Sequence, residues 1–443
     1  METVETTVNT NLKPEPGISP EGKRTILAAH LAFFVDMFDI YLPIVALAPA
    51  MIYFTPKDLP TSITTTLFYL TFAATLLGRP LGAVIFGHFG DSIGRKKTAL
   101  ISMIGFSIVT LCIAVLPGYE QVGLLGIGLI IFLRFIDGIF LGGEYTAANP
   151  LAMEYAPKSK RGIIGAFIIG GYPLSYVVIS LVTAAMLYLT PSGGIQSAYV
   201  QYGWRIPFIV GFIFSMGIFI YFLKFVPESK LWLEAKKTKA PLKELFSGES
   251  LRNFLQVFVM MTGVWFAFNA ITGTLPGVLI NVLGVEAKAV TNSLLIVNLI
   301  LFFAYLAVGS LGQKYGRRMV LICVGILACT IAPYLYYLLV SGALENTTRL
   351  LLLALAIELL VLPGTWGIGL AYITERFRTS VRASGFGLGW SLSVMIPSFY
   401  SFYMLGLGSI MPYEYTQIVL LVLGGILIII GAAWGPETKD VDF

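Results

Sequence analysis

Apolar stretches of 20 or more positions alternate with short polar breaks along the 443-residue chain. A helix rises 1.5 Å per residue, so about 20 apolar residues cross the roughly 30 Å of hydrocarbon in a bilayer. The pattern predicts spans over 25–53, 61–87, 98–118, 121–153, 162–190, 204–226, 252–282, 289–311, 318–340, 348–373, 382–407 and 414–434. These twelve transmembrane helices make an all-α membrane protein. One long polar connection, PESKLWLEAKKTKAPLKELFSGESLR from Pro227 to Arg252, divides the chain near its middle and contains amphipathic material suited to a membrane surface. The expected organisation is a tail over 1–24, a six-helix bundle over 25–226, a linker over 227–251, a second six-helix bundle over 252–434 and a tail over 435–443.

Composition agrees with a lipid solvent. Hydrophobic residues make up 57% of the chain and charged residues 12%, against about 25% charged in a soluble domain. The net charge of +5 would suit an anionic partner such as nucleic acid, but the basic residues lie in short loops on one side. The even-numbered connections hold 18 Lys and Arg; the odd-numbered ones hold four, namely Lys57, Arg205, Lys288 and Arg349. By the positive-inside rule, tails and linker are cytoplasmic. No apolar core precedes Thr25, so no cleavable signal peptide is expected. Cys112, Cys323 and Cys329 fall within apolar spans without a disulfide or metal pattern and read as packing residues.

The chain repeats itself. Gly87-His-Phe-Gly-Asp91-Ser-Ile-Gly94-Arg95-Lys96 returns as Gly309-Ser-Leu-Gly-Gln313-Lys-Tyr-Gly316-Arg317-Arg318, offset by 222. Glu154 and Arg161 return as Glu375 and Arg382, offset by 221, and Pro227-Glu228-Ser229-Lys230 returns as Pro436-Glu437-Thr438-Lys439, offset by 209. Equal numbers of spans make the repeat parallel, about an axis along the membrane normal. That architecture points to two bundles rocking around a site between them, which is alternating access.

GRPLGAVIFGHFGDSIGRKKTAL (Gly78 to Leu100) resembles the signature loop between helices 2 and 3 of the major facilitator superfamily. Glycines let the helix ends approach, and Asp91, Arg95 and Lys96 can form an ion-pair latch. The resemblance implies that this latch favours the outward-open state. With Gln313 in place of an aspartate, the second copy is expected to be weaker, and Glu154, Arg161, Glu375, Arg382 and Arg317 complete the expected gate. Within the superfamily, Arg79-Pro80-Leu81-Gly82, RFIDGIFLGGEYTAANPLAMEYAP (Arg134 to Pro157), YGWRIPF (Tyr202 to Phe208) and ERFRTSVRASGFGLGW (Glu375 to Trp390) are most similar to the metabolite:proton symporter family. FFVDMFDIY (Phe33 to Tyr41) has Asp where that family more often has Glu, and also resembles phosphate and aromatic-acid symporters; PESKLW (Pro227 to Trp232) resembles sugar porters.

Charged residues lie inside the spans. Asp36 and Asp39, on the first, are three residues apart and share a helix face. Arg134, Asp137 and Glu144, on the fourth, fall on one stripe. Each such charge costs roughly 2.5–3.5 kcal/mol near the bilayer centre, so they are paired, neutralised or facing a wet cavity. The resemblance implies that helices 1 and 4 line a central cavity, so the stripes can face each other. Close carboxylates beside an arginine form a site that exchanges a proton as hydration changes. Asp36, Asp39 and Glu144 are therefore candidates for the coupling proton. Arg134 is expected to tune that carboxylate or bind an anionic solute, with Arg79 as a second anion-binding candidate. Asn269, Trp265, Trp390 and Glu358 complete the candidate solute site, with Asn149, Asn298 and Trp366 as further cavity candidates. The competing reading is fixed ion pairs and packing that hold helices in register. Glu358 precedes Pro363-Gly364, an expected kink. His30 and His88 are assigned no chemistry, and Gly138, Gly142 and Gly143 are read as helix contacts.

The function expected is secondary active transport, a proton-coupled symport of a small organic carboxylate or zwitterion, with sodium as the other driving ion. The alternatives are a sugar or phosphate carrier and, from a different class, a sensor on a transporter scaffold. Gly17-Ile-Ser-Pro-Glu-Gly22-Lys23-Arg24 nearly spells a phosphate-cradling loop but lacks the final Ser/Thr and a preceding strand, so ATP chemistry is not expected. No enzyme activity, cofactor, metal, nucleic acid or obligate protein partner is expected. The partners are solute, protons and the bilayer of the cell membrane. Asn346-Thr347-Thr348 is a sequon on an outward loop.

Overall fold

The computed structural model describes residues 17–56, 59, 61–235, 240–341 and 346–443, and among these every regular element is helical. Most of the N-terminal tail (1–16), Lys57 and linker residues 236–239 lie outside the described residues. The spans are α1 (Pro20–Leu42, prolonged by irregular turns to Tyr53), α2 (Thr61–Ser92), α3 (Arg95–Ala114), α4 (Leu125–Glu154), α5 (Arg161–Ile169 and Gly171–Leu189) and α6 (Arg205–Phe225). After the linker come α7 (Gly248–Phe268), α8 (Ala287–Tyr315), α9 (Arg317–Cys329 and Ile331–Val340), α10 (Thr347–Glu375), α11 (Arg382–Ser391 and Tyr400–Leu407) and α12 (Thr416–Trp434).

Among the described residues, eleven of these are long and apolar enough to cross a membrane; α11 is the exception. Gly385, Gly387 and Gly389 weaken it and Pro397 lacks a backbone donor, so the chain passes through 3-10 turns at Leu392–Val394 and Pro397–Phe399. α10 instead runs through Pro363 and Gly364 as one helix. α1 starts five residues before the expected Thr25, because the Ser19 hydroxyl accepts from Gly22 N at 3.0 Å and caps it. α7 likewise begins inside the expected linker, at Gly248.

Small residues fix the inner packing. Gly78 and Gly82 on α2 cross Gly138 and Gly142 on α4, and a Cβ at Gly138 or Gly142 would strike the carbonyl oxygen of Thr75 or Arg79. Reciprocal small-xxx-small pairs of this kind let two backbones touch in lipid, and here the contact brings Arg79 against α4. α4 also packs on α1 and α3, and α6 on α1 and α3; in the second half α7 and α9 pack on α12 and α8 and α9 on α10. The halves meet where α11 lies on α2 and α4, and where α5 lies on α8 and α10. Large apolar side chains such as Phe132, Leu181, Phe303 and Phe402 face outward, as a lipid-facing belt requires. Cys112 and Cys323 are also exposed on this surface, so the expectation that they pack internally is corrected: they occupy outward faces of α3 and α9.

Candidate transport site and gate

Two arginines organise the charges within the membrane. Arg79 Nη2 meets Asp36 Oδ2 at 2.9 Å, joining α2 to α1. Arg134 Nη1 meets Asp39 Oδ2 at 2.9 Å and Asp137 Oδ2 at 3.0 Å, while its Nη2 donates to the Asp39 carbonyl at 3.1 Å. Thr110 donates to Asp39 Oδ1 at 2.7 Å. Asp36 and Asp39 thus share a helix face but belong to different arginines. The charged neighbours of Glu144 are Asp36 and Arg79, and neither of its oxygens has a hydrogen-bond partner. Each cluster sets one arginine against two buried carboxyl groups.

A cavity enclosing about 570 Å³ of empty space lies between the halves. α1 and α2 contribute Phe33, Tyr41 and Arg79; α7, α10 and α11 contribute Trp265, Asn269, Trp366 and Trp390. Arg79 is the charged residue of this lining, and Arg134 is not part of it. The guanidinium of Arg79 lies 4.7 Å from the Tyr145 ring centre, and the Tyr145 hydroxyl meets Ser391 Oγ on α11. Trp265, Trp366 and Trp390 pack edge-on or tilted at 4.9–6.4 Å between ring centres. Trp265 Nε1 donates to the Trp390 carbonyl at 3.1 Å, and Asn269 Nδ2 to the Pro397 carbonyl at 3.1 Å. Arg79 Nε, Trp366 Nε1 and Trp390 Nε1 have no acceptor among the described residues. The wall is therefore aromatic with surplus donors.

The remaining candidates lie apart from it. Glu358 lines a separate pocket, Asn149 is buried in α4 without a partner, and Asn298 Nδ2 bonds the Leu294 carbonyl of its own helix at 2.8 Å. His30 Nδ1 meets the Phe167 carbonyl at 2.7 Å and its ring stacks on Phe167.

At the end of the molecule that carries the linker, the halves are locked. Asp91 accepts from Ala383 N at 3.1 Å and Ser384 N at 2.8 Å, so a carboxylate of α2 caps the positive end of α11. Arg95 holds Asp91 at 2.9 Å, Glu154 at 3.2 Å and the Thr379 carbonyl at 2.8 Å. Arg382 reaches Glu154 at 2.7 Å across the seam, and Ser229 donates to the other oxygen of Glu154. Lys96 is corrected: its ammonium donates to the Leu223 carbonyl at 2.9 Å, at the end of α6, and takes no part in the ion pairs.

The second copy repeats this with changes. Gln313 accepts from Gly162 N at 3.0 Å, and Arg317 holds Glu375 at 3.1 Å, with Thr438 on its other oxygen at 2.7 Å. Glu228 caps Arg95 N and Lys96 N as Glu437 caps Arg317 N and Arg318 N. Gly94 and Gly316 both turn through the left-handed region (φ 119° and 106°), which places those amides. Arg161 does not pair with Glu375. It donates to the Val441 carbonyl at 2.6 Å, and the Phe443 ring lies between it and Arg382, 3.5 and 3.9 Å from the two guanidinium carbons.

The family model described as "Major Facilitator Superfamily" matches residues 29–393. The chain belongs to the major facilitator superfamily. It is 28% identical to the alpha-ketoglutarate permease of Escherichia coli (strain K12), covering 83% of each chain. It is 27% identical to the ectoine/proline transporter ProP of Corynebacterium glutamicum, over 87% of this chain and 77% of that one. The fold matches the solved proton:xylose symporter XylE bound to 6-bromo-6-deoxy-D-glucose with a TM-score of 0.79 at 18% identity, over 95% and 97% of the two chains. The protein is thus a multi-pass integral protein of the cell membrane whose relatives are transporters rather than enzymes.

Several residues of the site and gate escaped the sequence. Glu228, Ser229, Glu437 and Thr438 cap or brace the residues at the locked end, and their signal was the repeated Pro-Glu-Ser/Thr-Lys. Tyr145, Ser391 and Thr110 carry no motif of their own.

Proposed function

We propose that the protein is a proton-coupled symporter of a small organic carboxylate, in which solute and Asp36 compete for Arg79. The observation that carries this reading is Arg79: the charged residue of an aromatic cavity, with an unpaired Nε, beside two tryptophans whose indole donors are also unpaired. A carboxylate is the ligand class that satisfies surplus donors and a guanidinium together. Its arrival at Arg79 would leave Asp36 an uncompensated buried charge unless Asp36 takes a proton. Solute and proton therefore enter together. The Arg134 cluster, away from the cavity lining, braces α1 against α4.

The alpha-ketoglutarate permease supports a carboxylate; the ectoine/proline transporter keeps a zwitterion as the second reading, since the tryptophan wall suits a cationic group over its faces. In the alternating cycle, two six-helix bundles, 25–226 and 252–434, rock about this cavity. The locked end is taken as cytoplasmic because it carries the basic loops. Asp91, Arg95, Glu154, Arg382 and Arg317 then hold the outward-facing or occluded state.

The test is internal acidification of liposomes containing the purified protein, offered carboxylates, zwitterions, sugars and phosphate in turn. Acidification with carboxylates that falls in Asp36→Asn is the expected result. Solute uptake without proton movement would refute coupling, and a response confined to sugars or phosphate would refute the substrate class.

A further inference from the structure

We infer that Glu358 is a second proton-binding site, carried by the C-terminal half and independent of both arginine clusters. It lies on α10, 4% exposed, with no ion pair or hydrogen bond among the described residues. It lines a small pocket, with room for about one water molecule, together with Leu275, Leu279, Val290, Ser293 and Val297. The titratable groups facing it are Tyr172 and Tyr176 on α5 and Tyr305 on α8; no arginine, lysine or histidine acts on it.

An ionised carboxylate in this setting has nothing to offset its loss of water, a cost of several kcal/mol. Each acid of the N-terminal clusters has an arginine at hand; Glu358 has none among the described residues, so a bound proton is its means of neutrality whenever the pocket is dry. A structural carboxylic acid would ordinarily give its hydroxyl hydrogen to a fixed acceptor. Glu358 does not, and the buried Tyr305 hydroxyl beside it is also without a partner.

Position gives the proton a route. The pocket is walled by the last turns before Val282 and the first turns of α8, at the end opposite the lock, so water reaches Glu358 when that end opens. Tyr172 faces Glu358 and also lines the central cavity, linking the pocket to the solute site. Glu358 therefore releases its proton when its pocket is wet and holds one when it is dry, and the C-terminal half carries a proton through the cycle. The place of this proton in transport rests on the proton-coupled reading above; its binding to Glu358 does not.

The experiment uses the full-length protein and Glu358→Gln in lipid, with unfolding temperatures in detergent verifying that the variant folds. Infrared difference spectra across a pH step are expected to show a protonated-carboxyl C=O band in the wild type that disappears in Glu358→Gln and survives in Asp36→Asn. In proteoliposomes, the proton-to-solute ratio from reversal potentials is expected to fall by one in the same variant. An unchanged spectrum would overturn the inference. A lost band with an unchanged ratio would confirm the site and overturn its part in transport. A wild type that moves no protons with any solute would defeat the proton-coupled reading, while the infrared result would still decide Glu358.

Discussion

The first repeat closes its half of the lock with charge, whereas the second closes its half with the chain's own tail. Glu154 forms ion pairs with Arg95 of its own half and Arg382 of the other, while the direct partners of Glu375, Arg317 and Thr438, both come from its own half and Arg161 acts on it across the seam only through its charge. Arg161, which corresponds to Arg382, bonds Val441 and Phe443 instead. The same asymmetry runs into the membrane: four buried carboxyl groups share two arginines in the first half, and Glu358 stands alone in the second. One duplicated scaffold thus divides its work. The first half holds most of the charge at the lock and inside the membrane, and the second supplies the tryptophan wall and a closure with fewer ion pairs across the seam.

The comparison breaks most readily at Glu154. Glu154→Gln leaves two arginines without their shared carboxylate, and removing one partner of a buried pair costs about 3–5 kcal/mol. The equilibrium constant for the locked state should fall by roughly two to four orders of magnitude. Spin labels at Lys160→Cys and Arg378→Cys, in a background with Cys112, Cys323 and Cys329 replaced by serine, read the separation of the halves; the long-distance population should dominate. Glu375→Gln strips the direct bonds of Arg317 and Thr438 within one half and, across the seam, only the field of Arg161, so the same labels should move less. Phe443→Ala removes two cation–π contacts of about 0.5–2 kcal/mol each and should give a partial shift. Gln313→Ala removes one bond across the seam, about 1 kcal/mol, and should give the smallest. An order with Gln313→Ala above Glu154→Gln would dissolve the asymmetry.

Much of this was legible in the chain. Hydropathy placed the spans, and the repeat placed Asp91 opposite Gln313 and Glu154 opposite Glu375. Spacing of three put Asp137 beside Arg134, since neighbours on one helix need no knowledge of the fold. Asp36 and Asp39 share a face, yet their separate arginines follow from where α2 crosses α4, and that crossing depends on which glycines meet. The periodicity of one helix carries no information about its partner. α11 looked like any other span because its hydropathy is unbroken, although Pro397 and its glycines break the helix. Phe443 was invisible because two arginines distant in the chain define it, Arg161 across the seam and Arg382 in its own half, and nothing in the tail marks them. The unpaired indoles of Trp366 and Trp390 emerge only once every neighbouring acceptor is placed.

The most direct test of the competition between solute and Asp36 is calorimetry with the carboxylate that supports uptake, in buffers of different ionisation enthalpy. Wild-type binding is predicted to take up about one proton per solute, with Kd rising about tenfold per pH unit once the free site loses that proton. Asp36→Asn is predicted to bind without proton uptake. Wild-type binding with no proton uptake and a Kd independent of pH would contradict the account, and the Arg79–Asp36 pair would then be a fixed brace between α1 and α2.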